Sequence, residues 1–222
     1  MIPTRLSIVT YNLWLTERWP ARAAALERFL SLFAPDILCV QELQRPTQEF
    51  LDRVLKGHAR VRDPLPGWTN ESNIYWNGAM LEEAEHGTEE VGHLEPERRL
   101  FWARLRVKSS KRSVFVSTAH LTGPKHADEG ETGVSPRVKQ LKRIAEELGR
   151  LVREGEAAFF MGDMNDAYHP QRVLGRAGFT SCFAALGMQS PPTFHCYPTA
   201  GIEPGAPTVT EAIDLIVANR HA

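Results

Sequence analysis

A chain of 222 residues, 42% hydrophobic and 24% charged, is long enough to bury a core of its own and has an ordinary globular composition. Its formal net charge of −1 excludes a global field drawing it onto nucleic acid or an anionic membrane, while leaving room for a local basic groove. Three widely spaced cysteines, Cys39, Cys182 and Cys196, form no CxxC pair, which argues against a disulfide framework or a cysteine-rich zinc site and for a reducing, cytoplasmic setting.

The N-terminus enters a strand with no signal-peptide pattern, and no apolar run approaches the ~18 residues of a membrane span. Strands are expected at 5–14, 36–42, 73–77, 99–107, 113–121, 157–165 and 212–218, where short apolar runs rich in β-branched and aromatic residues end in polar ones. Between the first two, Leu26, Phe29, Leu30 and Phe33 share one helical face, and Pro35 stops that helix. The segments 62–72 and 122–133 read as mobile loops. The pair 99–107 and 113–121, joined by "KSSKR", reads as an antiparallel hairpin. A second helix carries Leu141, Ile144, Ala145, Leu148, Leu151 and Val152 in one stripe, with Ser135 at its N-cap and Pro136 at its first position. A third covers 169 to 177 and ends at Gly178. Nothing reads as a linker or repeat, so residues 1–222 are taken as a single domain of mixed sheets with helices outside.

The unusual feature is where the polar residues fall. The first strand ends in Asn12, the second in Gln41-Glu42, the fifth in His120 and the sixth in Gly162-Asp163-Met164-Asn165; Asp214 interrupts the last apolar run. A carboxylate on a buried strand is costly unless paired or bound to a cation. Several at equivalent strand ends indicate one shared polar pocket. Alternation along the strand sends Asp163 and Asn165 the same way and Met164 into the core, and Gly162 admits a close approach of backbone or substrate. Acids, amides and one histidine, with no thiolate, suit Mg²⁺ or Mn²⁺ rather than zinc, and that inventory meets the needs of phosphate-ester hydrolysis. Blander readings exist for each: Glu42 as a helix cap, Asp163 and Asn165 as an Asx-turn, His120 as a core histidine, Asn12 as a turn residue, Arg137 as an exposed helix residue. Trp14, Trp68 and Trp76 either pack in the core or line a substrate groove. The other histidines lack metal-ligand spacing and read as surface or loop residues.

Taken in order, "TYNLW" (10–14), "VQE" (40–42), "TAHL" (118–121), "GDMN" (162–165) and "IDLI" (213–216) resemble the motif set of the endonuclease/exonuclease/phosphatase superfamily, over nearly the whole chain. The resemblance implies a four-layer α/β sandwich, two packed mixed β-sheets flanked by helices, with a deoxyribonuclease I-like fold. It implies a Mg²⁺- or Mn²⁺-dependent phosphodiesterase or nuclease. Glu42 resembles the metal ligand, Asn12 assists at the metal or phosphate, Asp163 orients the attacking water, Asn165 holds a phosphoryl oxygen, and His120 contacts phosphate or helps the leaving group. Arg137 and Gln140 match, weakly, an Arg and a Gln on the helix after the histidine strand, and Trp14 is a weak candidate for stacking on substrate. Asp214 resembles the aspartate that orients a last catalytic histidine.

That histidine is the departure. The family's pattern closes on a serine-aspartate-histidine triplet well after the "IDLI" strand, whereas this chain stops at Ala222, and His221 lies too near to replace it. The expectation is a C-terminally truncated domain of reduced activity, monomeric, acting on a phosphate ester that includes nucleic acid among its options. The rivals are a catalytically dead relative used for binding, and an enzyme acting on small phospho-compounds or lipid head groups.

Overall fold

The computed structural model describes residues 4–124, 126–194 and 211–222. In chain order its first half runs β1 (Ile8–Asn12), α1 (Ala23–Phe33), β2 (Ile37–Gln41), α2 (Arg45–Val54), β3 (His58–Arg60), α3 (Gly67–Asn70), β4 (Ser72–Asn77) and β5 (Leu81–Glu89). It continues with β6 (Leu100–Val107), β7 (Ser113–His120), α4 (Ala127–Thr132), α5 (Pro136–Leu151), β8 (Ala157–Asp163), α6 (His169–Arg176), β9 (Phe179–Ser181), α7 (Cys182–Ala185) and β10 (Asp214–Asn219).

The strands form a 4-stranded sheet, β1-β2-β4-β3, and a 6-stranded sheet, β5-β6-β7-β8-β10-β9. Each is mixed: β1–β2 and β7–β8 are parallel, and the other pairings are antiparallel. The architecture is the four-layer α/β sandwich. Its layers follow from alternation along the strands. Ile37, Cys39, Ile74 and Trp76 face Phe101, Ala103, Val116 and Met161 between the sheets. The intervening Leu38, Val40 and Tyr75 pack outward against Leu26, Leu30, Phe50 and Leu51 of α1 and α2. On the other outer face, Phe115 and Phe160 meet Leu141, Ile144 and Leu148 of α5 and Leu174 of α6. Burial on both faces is why β2, β7 and β8 read as unbroken apolar runs.

The hairpin and the three expected helices are present, each within a few residues. Ser135 precedes α5, but its side chain makes no capping bond, and Pro136 begins the helix. Two expected loops are ordered differently. The 62–72 segment carries α3, with Trp68 and Glu71 buried, and the 122–133 segment carries the exposed helix α4. Trp68 and Trp76 are core residues, not groove walls. The sequence reading did not anticipate β3, β5, β9, α2 or α7; β5 is dominated by Glu and polar residues, so its strand character comes from pairing with β6. Parallel pairing aligns Asn12 with Gln41 and His120 with Asp163, and β10 returns antiparallel to place Asp214 opposite Asp163. The polar strand ends therefore all collect at one end of the sandwich.

Candidate active site

The site begins with a polar bridge between the two sheets. Gln41, fully buried, donates from Nε2 to Thr118 Oγ1 at 2.9 Å and to Thr10 Oγ1 at 3.1 Å. Thr10 and Thr118 lie two residues before Asn12 and His120, so side-chain alternation points all of them along one register. The next residue, Glu42, sits in the left-handed region with φ 54°, an uncommon backbone for a non-glycine residue and of the kind that concentrates at functional sites. Glu42 does not cap α2: the capping box there is made by Gln44 and Thr47.

Asn12 joins the two acids. Its Nδ2 donates to Glu42 Oε1 at 3.1 Å and to Asp163 Oδ2 at 2.9 Å, while its Oδ1 accepts from Trp14 N at 2.8 Å. In this orientation Asn12 turns hydrogens toward the acids, and its oxygen is already engaged. Asp163 uses its other oxygen, Oδ1, to accept from Asn165 N at 2.8 Å. The Asx-turn and the site role thus coexist, one carboxylate oxygen to each. Asn165, with φ 47°, donates from Nδ2 to Leu121 O at 2.9 Å, and Met164 is buried. Gly162 is required by backbone, not substrate: at φ 140° a Cβ there would lie 2.0 Å from Ala119 O on the paired strand.

His120 is buried. Its Nδ1 lies 2.9 Å from Glu71 Oε1, a carboxylate rather than a backbone carbonyl, which leaves Nδ1 protonated as donor. Its Nε2 faces Asp163 Oδ2 at 3.8 Å and Glu42 Oε1 at 3.9 Å. Glu71 escaped the sequence reading because it lies in the segment read as a loop; the signal was an acid directly before the strand "SNIYWN". Arg98 also escaped it. Its Nε is 3.6 Å from Glu71 Oε1, and its Nη1 donates to Leu121 O at 2.9 Å and to Glu95 Oε1 at 3.1 Å.

Asp214 faces the same end. Burial, then the charge of Asp163, pushes its carboxyl up to about 6. Among the described residues its Oδ1 is buried without a close hydrogen-bond partner; the Thr193 hydroxyl, which accepts from the backbone of Ile213 and Asp214, also lowers the carboxyl slightly. His221 lies beyond the opposite end of β10 and bonds locally to Arg220, so it does not reach this pocket. His195 and Cys196 fall outside the described residues.

The weaker candidates separate from the cluster. Arg137 is buried, not exposed; it donates to Thr122 O at 3.1 Å and Glu129 Oε1 at 2.6 Å, with Nε 3.9 Å from Asp166 Oδ2. Gln140 is also buried and holds Thr122 from both ends of its amide. Both brace the backbone after His120, Gln140 also reaching Gly92 O at 3.0 Å, while Arg137 Nε has no hydrogen-bond partner among the described residues. Trp14, at 40% exposure, lies at the rim with the Arg22 guanidinium over its ring. His93, read as a surface residue, is largely buried, and burial with the nearby Arg98 charge pulls it down to about 4.

Carboxylates, an imidazole and amides from both sheets thus meet where the strands end. A family model described as "Endonuclease/Exonuclease/phosphatase family" matches residues 9–221, and the chain belongs to that family. No curated protein matches the chain. Among solved structures, a humanized D. rerio TDP2 shares 20% identity over 98% of this chain and 85% of its own, with TM-score 0.76. The Bacteroides thetaiotaomicron mannosyl-6-phosphatase Bt3783 shares 16% over 97% and 86%, at TM-score 0.75. The human Nocturnin catalytic domain with bound sulfate shares 16% over 97% and 82%, at TM-score 0.72. At these identities the likeness is one of fold.

Proposed function

We propose that the protein is a divalent-metal-dependent phosphodiesterase that takes nucleic-acid ends or short oligonucleotides as substrate. The observation that carries this reading is the meeting of Glu42 and Asp163, from different sheets, at the single amide of Asn12, with His120 Nε2 facing both. A neighbour of the same fold, D. rerio TDP2, has been solved with a single-strand DNA product, which is the support for choosing nucleic acid as substrate.

Among the described residues, no group of three or more His, Cys, Asp or Glu side chains is gathered to hold a metal ion. The donor chemistry nonetheless fits the divalent metals that enzymes of this family generally use. Mg²⁺ keeps several waters and is held by one or two carboxylates plus substrate phosphate, and Glu42 supplies one such carboxylate. Glu42 would hold the ion, which when bound neutralises charge on the phosphoryl oxygens.

The chain's own residues do the rest. Asp163, fixed by Asn12 and by the Asn165 backbone N–H, keeps its Oδ2 directed into the pocket to orient and deprotonate the attacking water. His120, with Nδ1–H committed to Glu71, contacts the phosphate or leaving oxygen as a donor from Nε2 in its doubly protonated form. Asn165 retains a second amide hydrogen to bind developing negative charge, and Arg98 stands beside Glu71, behind His120. The test is hydrolysis of a thymidine oligonucleotide and of bis(p-nitrophenyl) phosphate with Mg²⁺, with Mn²⁺ and with EDTA. Asp163→Asn and Glu42→Gln are each expected to lower kcat about 10²–10⁴-fold. Binding of the oligonucleotide without metal-dependent turnover would instead make the chain a binding module.

A further inference from the structure

Two groups of the proposed mechanism, the His120 imidazole and the Asn165 amide, are each held by a partner that touches Arg98. Arg98 lies between β5 and β6, and its side chain is 15% exposed. Its Nε stands 3.6 Å from Glu71 Oε1, the same oxygen that lies 2.9 Å from His120 Nδ1. Its Nη1 donates to Leu121 O at 2.9 Å, and that carbonyl also accepts from Asn165 Nδ2 at 2.9 Å. A carbonyl offers two lone pairs, so these two donors use Leu121 O fully. Leu121 N donates in turn to Asp163 O at 2.9 Å.

The guanidinium is itself fastened. Nη1 also donates to Glu95 Oε1 at 3.1 Å, and Glu95 accepts from Gly123 N at 3.2 Å and from Thr122 Oγ1 at 2.7 Å. Glu95 thus ties Arg98 to the backbone that follows His120. The next residue, Arg99, pairs with Glu90, so the two neighbouring cations serve different places. A planar fork can face a carboxylate with one nitrogen and a carbonyl with another, whereas a lysine ammonium is a single point of charge. We propose that Arg98 is a positioning residue for both groups, setting His120 through Glu71 and Asn165 through Leu121 O. It acts through them and not on the substrate. What the two groups then do rests on the phosphodiesterase reading.

The first experiment is turnover of bis(p-nitrophenyl) phosphate with Mg²⁺. A small misplacement of reacting groups can cost on the order of 10²-fold, so Arg98→Ala is expected to lower kcat about 10- to 100-fold. KM should stay unchanged, because no substrate contact is lost. Arg98→Lys should keep most of the loss, and Arg99→Ala should have none. A raised KM with kcat kept, or full rescue by lysine, would overturn the positioning role. The second experiment is NMR of the His120 Nδ1–H and Asn165 side-chain amide signals, assigned by their loss in His120→Gln and Asn165→Asp. Glu71→Gln is expected to shift the imidazole signal alone, and Arg98→Ala or Arg98→Lys to shift both. An Asn165 amide unmoved in the Arg98 variants would overturn the proposal. If the wild-type chain cleaves nothing with Mg²⁺ or Mn²⁺, the phosphodiesterase reading fails, and the NMR comparison still decides whether Arg98 holds both groups.

Discussion

Two clusters of buried charge lie at opposite ends of the larger sheet. At the far end Arg104 of β6, nearly inaccessible, donates to Glu156 Oε1 at 2.7 Å and Leu151 O at 2.7 Å, and pairs with Glu85, which is shared with Arg153. Trp102 and Phe115 flank its guanidinium. Two arginines and two glutamates balance, so the cluster has no unmet demand. At the near end Glu42, Glu71, Asp163 and Asp214 share one imidazole and Arg98, which is itself divided with Glu95. Burial and unbalanced charge are both costly, and only the near end leaves them uncompensated. A saturated cluster holds a fold together, whereas the acid-rich one is where the proposed function seats a cation and substrate.

The sharpest way to break this contrast is at the balanced end. Arg104→Ala leaves Glu156 buried without its cation and is expected to lower stability by roughly 3–5 kcal/mol, read from denaturant unfolding, with kcat per folded molecule unchanged. A large kcat loss would erase the distinction between the ends. At the acid-rich end Glu71→Gln removes the charge behind His120 and is expected to lower kcat per folded molecule about 10- to 100-fold. Replacing Asp214 should do the reverse of ordinary mutation. Its folded value, about 6, lies above that of an unfolded aspartate, so the penalty is absent at low pH and complete above the folded value. Asp214→Asn is therefore expected to stabilise the metal-free chain by on the order of 1–3 kcal/mol at pH 8 and not at all near pH 4.

The smallest effect concerns a third cluster. Burial pulls His86 down, but bonds to Glu83 and Asp63 outweigh it and its pKa is raised. This tie between β5 and the segment leading to α3 contributes stability fully at acid pH and loses it as pH rises through the raised value. The melting difference between wild type and His86→Gln should be present at pH 6 and closed by pH 9.

What the sequence by itself determined was the set of strand ends. Short apolar runs that stop on Asn12, Glu42, His120 and Asp163 are local patterns, and parallel pairing has to bring such ends to one edge of their sheets. Helices α1, α5 and α6 were legible for the same reason, since an amphipathic stripe or a Pro and Gly boundary is written within a few residues. Arg137 and Gln140 matched only weakly, through the family resemblance.

Their roles were decided only by tertiary structure. Glu71 and His120 are 49 residues apart, and nothing near Glu71 in the chain distinguishes an imidazole partner from a solvated loop acid. Arg137 and Gln140 became braces because α5 packs over Thr122, and β5 became a strand because β6 offers it hydrogen bonds. Gly162 is demanded by Ala119 across the sheet, not by anything beside it in sequence. Periodicity and caps are short-range. Whether a buried charge is neutralised or left wanting depends on which distant side chain the fold sets against it.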